Sequence, residues 1–158
     1  MNEQNVQLDD VDRRIIEVLR GDGRMSVSAL AQQVNVARAT AYQRLNRMTD
    51  AGVIRRFTID VDPKRVGLPI AALVMIQVDQ HAWREIADKL RRLPGVDWLA
   101  FSTGSFDFVA LVRAADVDHL RDVVLRGFQA LPEIRSTQTL FLLDEPEPAP
   151  ASPPGEGP

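Results

Sequence analysis

The sequence predicts an α+β chain in two parts, a short helical segment followed by one in which strands and helices alternate. Up to residue 50, apolar residues recur with helical spacing. From residue 70, β-branched apolar runs alternate with amphipathic stretches in the order β-α-β-β-α-β. With 158 residues, of which 45% are hydrophobic, the chain is long enough for two small domains.

The first helix is predicted to begin after Asp9, a favourable N-cap residue that follows the apolar Leu8. Its inward face carries Ile15, Ile16 and Leu19, and the glycines of Gly21–Gly23 end it. This helix would complete a three-helix unit, because two short helices alone cannot bury their apolar faces.

Two further helices follow, separated by a tight turn. Ser26 is the expected N-cap of a helix over Val27–Val34. After Asn35 and Val36 the next helix runs to about Asp50, with Ala41, Leu45 and Met48 facing inward. Gly52 is positioned to end it, and Val53 and Ile54 are expected to open a strand. This is the layout of a winged-helix-like helix-turn-helix over residues 8–56.

The third predicted helix carries a basic and amide-rich surface. Between Asn35 and Arg56 there are five arginines and one acid, on a chain whose net charge is −3. Amide side chains can read adenine edges, and arginine can contact guanine or phosphate. We therefore predict that this helix binds double-stranded DNA through Arg38, Ala39, Thr40, Tyr42, Gln43, Arg44, Asn46 and Arg47. An ordinary solvated helix face is the alternative interpretation.

Residues 57–69 are predicted to be a hinge strand and linker. Residues 57–62 alternate apolar and polar side chains, as a half-buried strand does, and Pro63 stops the pattern. A ferredoxin-like domain over residues 70–143 is predicted next. Its expected elements are Ile70–Val78, buried on both faces or nearly so, then His81–Leu93, Val96–Ser102, Phe106–Val112, Val117–Leu131 and Ile134–Leu143.

Composition bounds the remaining possibilities. Residues 1–7 are polar, and residues 144–158 contain six prolines with acidic charges only, so both ends are predicted to be disordered. With no cysteine, only two histidines (His81 and His119) and no spaced ligand or nucleophile motif, we expect no catalytic residues, metal or cofactor. The longest apolar runs are too short to span a bilayer and no N-terminal basic-then-apolar segment suggests export, so a cytoplasmic protein is expected. Its predicted binding to DNA would associate it with the nucleoid of a bacterium or archaeon.

An ordered set of short motifs resembles the Lrp/AsnC, or feast/famine, transcription regulators across residues 8–143. The motifs are Leu8-Asp9-x-x-Asp12-Arg13-x-Ile15, Asp22-Gly23-Arg24, Ala51-Gly52-Val53-Ile54, Asp62-Pro63 and Thr103-Gly104-x-x-Asp107. The resemblance implies a DNA reader, a hinge strand and an amino-acid-sensing domain. It also implies dimers that assemble into octamers or larger rings and bind small effectors between dimers near the Thr-Gly loop.

The chain departs from the family pattern in two places. Ala37-Arg38-Ala39-Thr40 occupies the stretch where the family often has a serine followed by a proline, so the helix cap comes from Asn35 or is missing. Ser105 and Phe106 replace a frequent acid and tyrosine in the effector loop.

The predicted effector site comprises Thr103, Gly104, Ser105, Phe106 and Asp107. Backbone amides at Thr103-Gly104-Ser105 could hold a ligand carboxylate, and Asp107 could pair with its ammonium group. In the alternative interpretation Gly104 makes a tight turn and Asp107 caps it.

A homodimer is the expected minimum assembly, because a sheet with helices on one face leaves its other face bare. The strand at 57–61 could pair across that dimer and set the spacing of two recognition helices. Two other functions share the architecture: a siroheme-decarboxylase-like enzyme, and an architectural protein that wraps DNA without an effector.

Overall fold

The computed structural model describes residues 7–79 and 83–145, which divide into two compact units between Asp60 and Val61. This division falls inside the predicted linker 57–69. Most of the predicted disordered ends, and His81, lie outside the described residues.

The first unit contains the three predicted helices, α1 (Asp10–Gly21), α2 (Val27–Gln33) and α3 (Arg38–Asp50). Ile15 from α1 packs with Leu30, Val34 and Met48, and none of these four side chains is more than 1% exposed. The small apolar cluster therefore draws on all three helices.

The helix caps follow the sequence prediction. At α1, the Asp12 amide donates to Asp9 Oδ1 at 2.9 Å and the Asp9 amide donates to Asp12 Oδ2 at 3.1 Å, which forms a capping box. At α2, Ser26 Oγ accepts a hydrogen bond from the Ala29 amide at 3.2 Å. At α3, Ala37 occupies the N-cap position and no side chain caps the helix, so of the two predicted possibilities the cap is missing.

The turn between α2 and α3 depends on Asn35, whose φ is 55°. Asparagine tolerates this left-handed conformation better than most residues. The change of chain direction at this turn is stabilised by the Val36 amide, which donates a hydrogen bond to the Ala31 carbonyl at 3.0 Å.

The strands predicted at 53–54 and at 57–62 are absent from the single chain. These residues form no strand, and the side chains of Phe57 and Ile59 are 54% and 75% exposed. Alternating apolar residues suit a strand, but a strand also needs a neighbouring strand to accept its backbone hydrogen bonds.

The second unit confirms the ferredoxin-like prediction, with a four-stranded antiparallel sheet in which the unit's second, third, first and fourth strands lie side by side in that order. A 3₁₀ turn at Lys64–Val66 precedes the first strand. The strands are β1 (Ile70–Val78), β2 (Val96–Phe101), β3 (Phe108–Ala114) and β4 (Ile134–Leu142), and the helices are α4 (Trp83–Arg91) and α5 (Val117–Asp122).

Several element boundaries differ from the prediction by one or two residues, and two regions differ in kind. The hairpin connection spans residues 102–107 rather than Thr103–Ser105, since β2 ends at Phe101 and β3 begins at Phe108. The helix predicted over Val117–Leu131 continues beyond Asp122 as a π-helical segment, Val123–Phe128. This segment turns Val123, Val124 and Phe128 into the core together.

The helices cover only one face of the sheet, yet no residue of β1 is exposed, as predicted for a strand buried on both faces or nearly so. Ala72, Val74 and Ile76 are fully buried on the helix side. On the other side Trp98 and Leu140 are 44% and 45% exposed.

In the described part of the chain, no helix is long and apolar enough to cross a membrane.

Candidate nucleic-acid interface and effector loop

Helix α3 presents a polar face opposite its buried residues. Ala41 and Met48 are fully buried against the first unit's core. At 100° per residue, Ala39, Gln43 and Asn46 lie on the far side, and all three are exposed. The flanks carry the 56% exposed Tyr42, the exposed Arg38 and the half-buried Thr40. These six of the eight predicted DNA-contacting residues are therefore exposed or half-buried.

The other two predicted residues, Arg44 and Arg47, point toward α1. Arg44 Nη1 lies 2.6 Å from Asp9 Oδ2 and 2.9 Å from Asp12 Oδ1. Arg47 Nη2 forms an ion pair with Asp12 Oδ2. The Arg47 guanidinium thus turns to a carboxylate that is 0% exposed, while the Arg47 side chain itself remains 49% exposed.

These ion pairs alter the acidity of the groups that form them. The hydrogen bond from the Arg44 side chain, assisted by one from the Asp12 amide, lowers the pKa of Asp9 from 3.8 to about 2. Hydrogen bonds to Asp9 and then Asp12 raise the pKa of Arg44 above its ordinary value. Sequence inspection missed Asp9 and Asp12 as partners of α3, since it recognised them only as residues at the start of a helix.

The pairing reduces the basic charge available for a ligand. Of the five arginines between Asn35 and Arg56, two are matched by acids of α1. Arg38, Arg55 and Arg56 are exposed and form no ion pair within the described ranges. The free positive charge therefore lies at the start of α3 and in the segment that follows the helix.

The predicted effector loop has an open tip and an anchored base. Thr103, Gly104 and Ser105 are exposed, and the φ of Gly104 is +111°, a conformation that strongly favours glycine. Phe106 and Asp107 are partly buried. The tip can present backbone amides to an anion, as the sequence suggested.

Asp107 anchors the loop to the end of β1. Its Oδ2 accepts a hydrogen bond from the Val78 amide at 2.8 Å, and its own amide donates to the Ile76 carbonyl at 2.9 Å. The β1–β4 register shifts between Gln77 and Val78, so the carboxylate satisfies an amide beside an irregular point of the ladder. The carboxylate is therefore bonded to the end of β1 and not to an amide of its own turn, and among the described residues Oδ1 has no hydrogen-bond donor.

An aromatic cluster borders this loop. Trp83 stacks on Phe101 with ring centroids 5.5 Å apart, and Phe108 lies 5.0 Å from Phe101. Sequence reasoning missed this cluster, because the three residues come from three different elements.

The described residues include no group of three or more histidine, cysteine or acidic side chains suited to holding a metal ion. His119 is exposed and its Nδ1 accepts a hydrogen bond from the Ala115 amide at 3.3 Å, so it serves a local turn.

A helix-turn-helix unit followed by a ferredoxin-like unit defines a class of two-domain DNA-binding proteins. The model of the winged helix-turn-helix DNA-binding family matches residues 8–55, and that of the Lrp/AsnC ligand-binding domain matches residues 71–151. The chain therefore belongs to the Lrp/AsnC family of transcription regulators, with a DNA-binding domain and a ligand-binding domain.

Individual relatives agree with this assignment. The HTH-type transcriptional regulator AldR of Mycobacterium tuberculosis is 38% identical over 141 residues, which cover 87% of this chain and 79% of AldR. The structure of E. coli AsnC matches with a TM-score of 0.81 and 31% identity, covering 89% of this chain and 95% of AsnC. The L-Met complex of NMB0573 from Neisseria meningitidis matches with a TM-score of 0.83 and 25% identity, covering 89% and 93%.

Proposed function

We propose that this chain is a sequence-specific transcription regulator that reads DNA with α3 and responds to an amino acid or related metabolite bound by its second domain. The observation that carries the proposal is the exposed polar face of α3, opposite Ala41 and Met48. Its dimensions and chemistry suit the major groove, which admits one helix.

The proposed contacts divide into base readers and phosphate contacts. Gln43 and Asn46 supply amides that can bond to adenine, and Tyr42 borders them. Arg38 supplies a charge at the start of α3. The first-turn amides there have no side-chain cap, and uncapped helix amides bind phosphate oxygens well. The missing cap is therefore compatible with a phosphate partner at Ala39 and Thr40.

Operator selection followed by binding titration tests this assignment. Gln43→Ala and Asn46→Ala should each cost about 1–3 kcal/mol of specific binding with little change in salt dependence. Gln129→Ala, which removes an exposed amide from the second unit, is the matched control. Wild-type affinity in both α3 variants would refute the reading face.

The effector is proposed to bind at residues 103–107. Backbone amides at the open tip would hold a carboxylate, and Asp107 Oδ1 would receive an ammonium group while Oδ2 keeps its bond to Val78. The L-Met complex of NMB0573 supports an amino acid as the ligand class. Calorimetric titration with each of the twenty amino acids tests this proposal. If none of them gives a heat of binding, the protein is not an amino-acid sensor of this kind.

The second domain is proposed to form a homodimer that assembles further, to an octamer or larger. The bare sheet face carries Trp98 and Leu140, whose exposure a second copy would remove. Such a dimer would also offer the unpaired segment 57–61 a partner strand. In light scattering, Leu140→Asp should reduce the assembly, whereas Leu125→Asp, equally exposed on the helical side, should not. A wild-type monomer at micromolar concentration would contradict the proposal.

Footprinting distinguishes a local regulator from a DNA-wrapping protein. One discrete protected site is expected here. Regular protection at every helical turn over long DNA would instead identify the architectural alternative.

A further inference from the structure

We propose that Arg44 and Arg47 are positioning residues that lock α3 onto α1 rather than contacts to DNA. Together with Asp9 and Asp12 they form what we call the α1–α3 clasp. This inference rests on the proposed reading of DNA by α3, and it assigns the two central arginines of that helix a different task from its amides.

Four side-chain hydrogen bonds join the two arginines to the two acids of the clasp. Arg44 Nη1 donates to Asp9 Oδ1 at 2.8 Å, to Asp9 Oδ2 at 2.6 Å and to Asp12 Oδ1 at 2.9 Å. Arg47 Nη2 donates to Asp12 Oδ2, which also accepts the Asp9 amide at 3.1 Å. Both oxygens of Asp12 are therefore bonded to an arginine of α3.

Burial makes these bonds difficult to give up. The Asp12 side chain is 0% exposed, whereas those of Arg44 and Arg47 are 25% and 49% exposed. A buried carboxylate has lost its hydration and must keep its charged partners. An arginine that moved to a DNA phosphate would leave Asp12 less compensated, so the free-energy balance favours the clasp.

Helix geometry ties the clasp to the reading face. Gln43 immediately precedes Arg44, and Asn46 immediately precedes Arg47. Successive helical residues differ in direction by about 100°. The rotation of α3 that seats the two arginines on α1 consequently aims the two amides away from it. Fixing one pair of side chains fixes the direction of the other.

Neutralising the acids gives opposite results under the two interpretations. Asp9→Asn retains a side-chain oxygen for the N-cap but removes the charge that Arg44 binds. If the arginines position α3, Asp9→Asn and Asp12→Asn should weaken specific binding, roughly tenfold for Asp12→Asn, with an unchanged salt slope. If the arginines contact DNA, freeing them and removing a nearby negative charge should tighten binding and steepen the salt slope.

Thermal unfolding of the free full-length protein supplies a second readout. Arg47→Ala and Asp12→Asn should each lower Tm without DNA, and the double variant should lose less than the two single losses combined. Arg38→Ala is the matched arginine control, expected to reduce the salt slope by about 0.9 if Arg38 contacts one phosphate, at unchanged Tm. Asp10→Asn, an exposed acid of the same helical turn, controls for general charge effects.

The outcomes separate this inference from the proposed function. Tighter binding by the Asp9→Asn protein, or additive losses of Tm, would overturn the clasp while DNA reading stood. A wild-type protein that selects no DNA sequence would instead refute the proposed function. In that case the clasp would be tested only by the Tm values of the Arg47→Ala, Asp12→Asn and double-variant proteins. Because the Asp9 side chain is 53% exposed, the Asp9→Asn protein should fold even if the Asp12→Asn protein does not. Its DNA affinity then still tests the clasp.

Discussion

The two units of this protein hold their elements in place by different means. The first unit has four buried apolar residues in its core cluster, and the second has fifteen. The first unit adds the α1–α3 clasp, in which one acid is completely buried. In the second unit, the pairs Lys89–Glu133 and Arg113–Glu145 lie at the rim, and the sheet and helices meet through apolar side chains.

The contrast follows from size. A small helical unit buries a smaller fraction of its surface, so apolar area alone gives it less stability and less directional control. Charge-assisted hydrogen bonds are directional, and they can fix the rotation of a helix that must present particular side chains. A four-stranded sheet already has its directions set by its ladder. Truncating a buried apolar side chain should therefore lower the stability of the second unit most. Changing a polar side chain at a helix terminus should affect the stability of the first unit most.

The largest effect is expected from Phe128→Ala. Phe128 is 0% exposed at the end of the π-helical segment, and truncating such a residue leaves a cavity that costs about 3–5 kcal/mol of unfolding free energy. Calorimetry should show a lowered transition for the second unit. Leu125→Ala, which truncates a 49% exposed residue of the same segment, should change it little. Similar losses in both variants would mean that apolar burial does not dominate this unit.

A smaller effect of opposite sign is expected from Ala37→Ser in the first unit. The Ala37 backbone already has the extended N-cap conformation, with φ −64° and ψ 146°, so a serine hydroxyl could bond to a first-turn amide. The free protein should gain about 1 kcal/mol of stability. The converse variant, Ser26→Ala at α2, should lose a similar amount of stability, as measured by thermal denaturation. If the uncapped amides also bind phosphate, Ala37→Ser should weaken DNA binding while it stabilises the fold.

The smallest effect is a pH dependence traceable to Asp9. Its pKa is lowered from 3.8 to about 2 by its bonds to Arg44 and the Asp12 amide. Because the unfolded chain binds this proton more readily, the stabilisation is complete above about pH 4 and is lost as the pH falls toward 2. Melting curves of wild type should therefore fall more steeply over that window than those of Asp9→Asn. An identical slope in the two proteins, with Asp10→Asn as the charge control, would show that the clasp leaves Asp9 unaffected.

Local patterns predicted most of the fold. Ser26 and Asp9 cap the helices expected from them, and β1 has the predicted bounds Ile70–Val78. Predictions failed where a neighbour decides the result. The alternation at 57–62 has no neighbouring strand to pair with in the single chain.

The candidate site shows the same division. The exposed positions of Gln43 and Asn46 follow from the spacing of Ala41 and Met48, since helical periodicity is a local property. The pairing of Asp107 with Val78 and the aromatic cluster at Trp83 could not be inferred, because they join elements far apart in the chain.

The sequence by itself determined the order of elements, the family, and which helix carries amide and arginine side chains. Periodicity, capping and motif order depend on residues close together in the sequence, so they can be recognised without the tertiary structure. Tertiary structure alone decided which of those side chains are available. Arg44 and Arg47 meet Asp12 across 32 and 35 positions of sequence. The physical reason is that a buried charge selects its partners by proximity in space, so identical-looking arginines on one helix acquire different tasks.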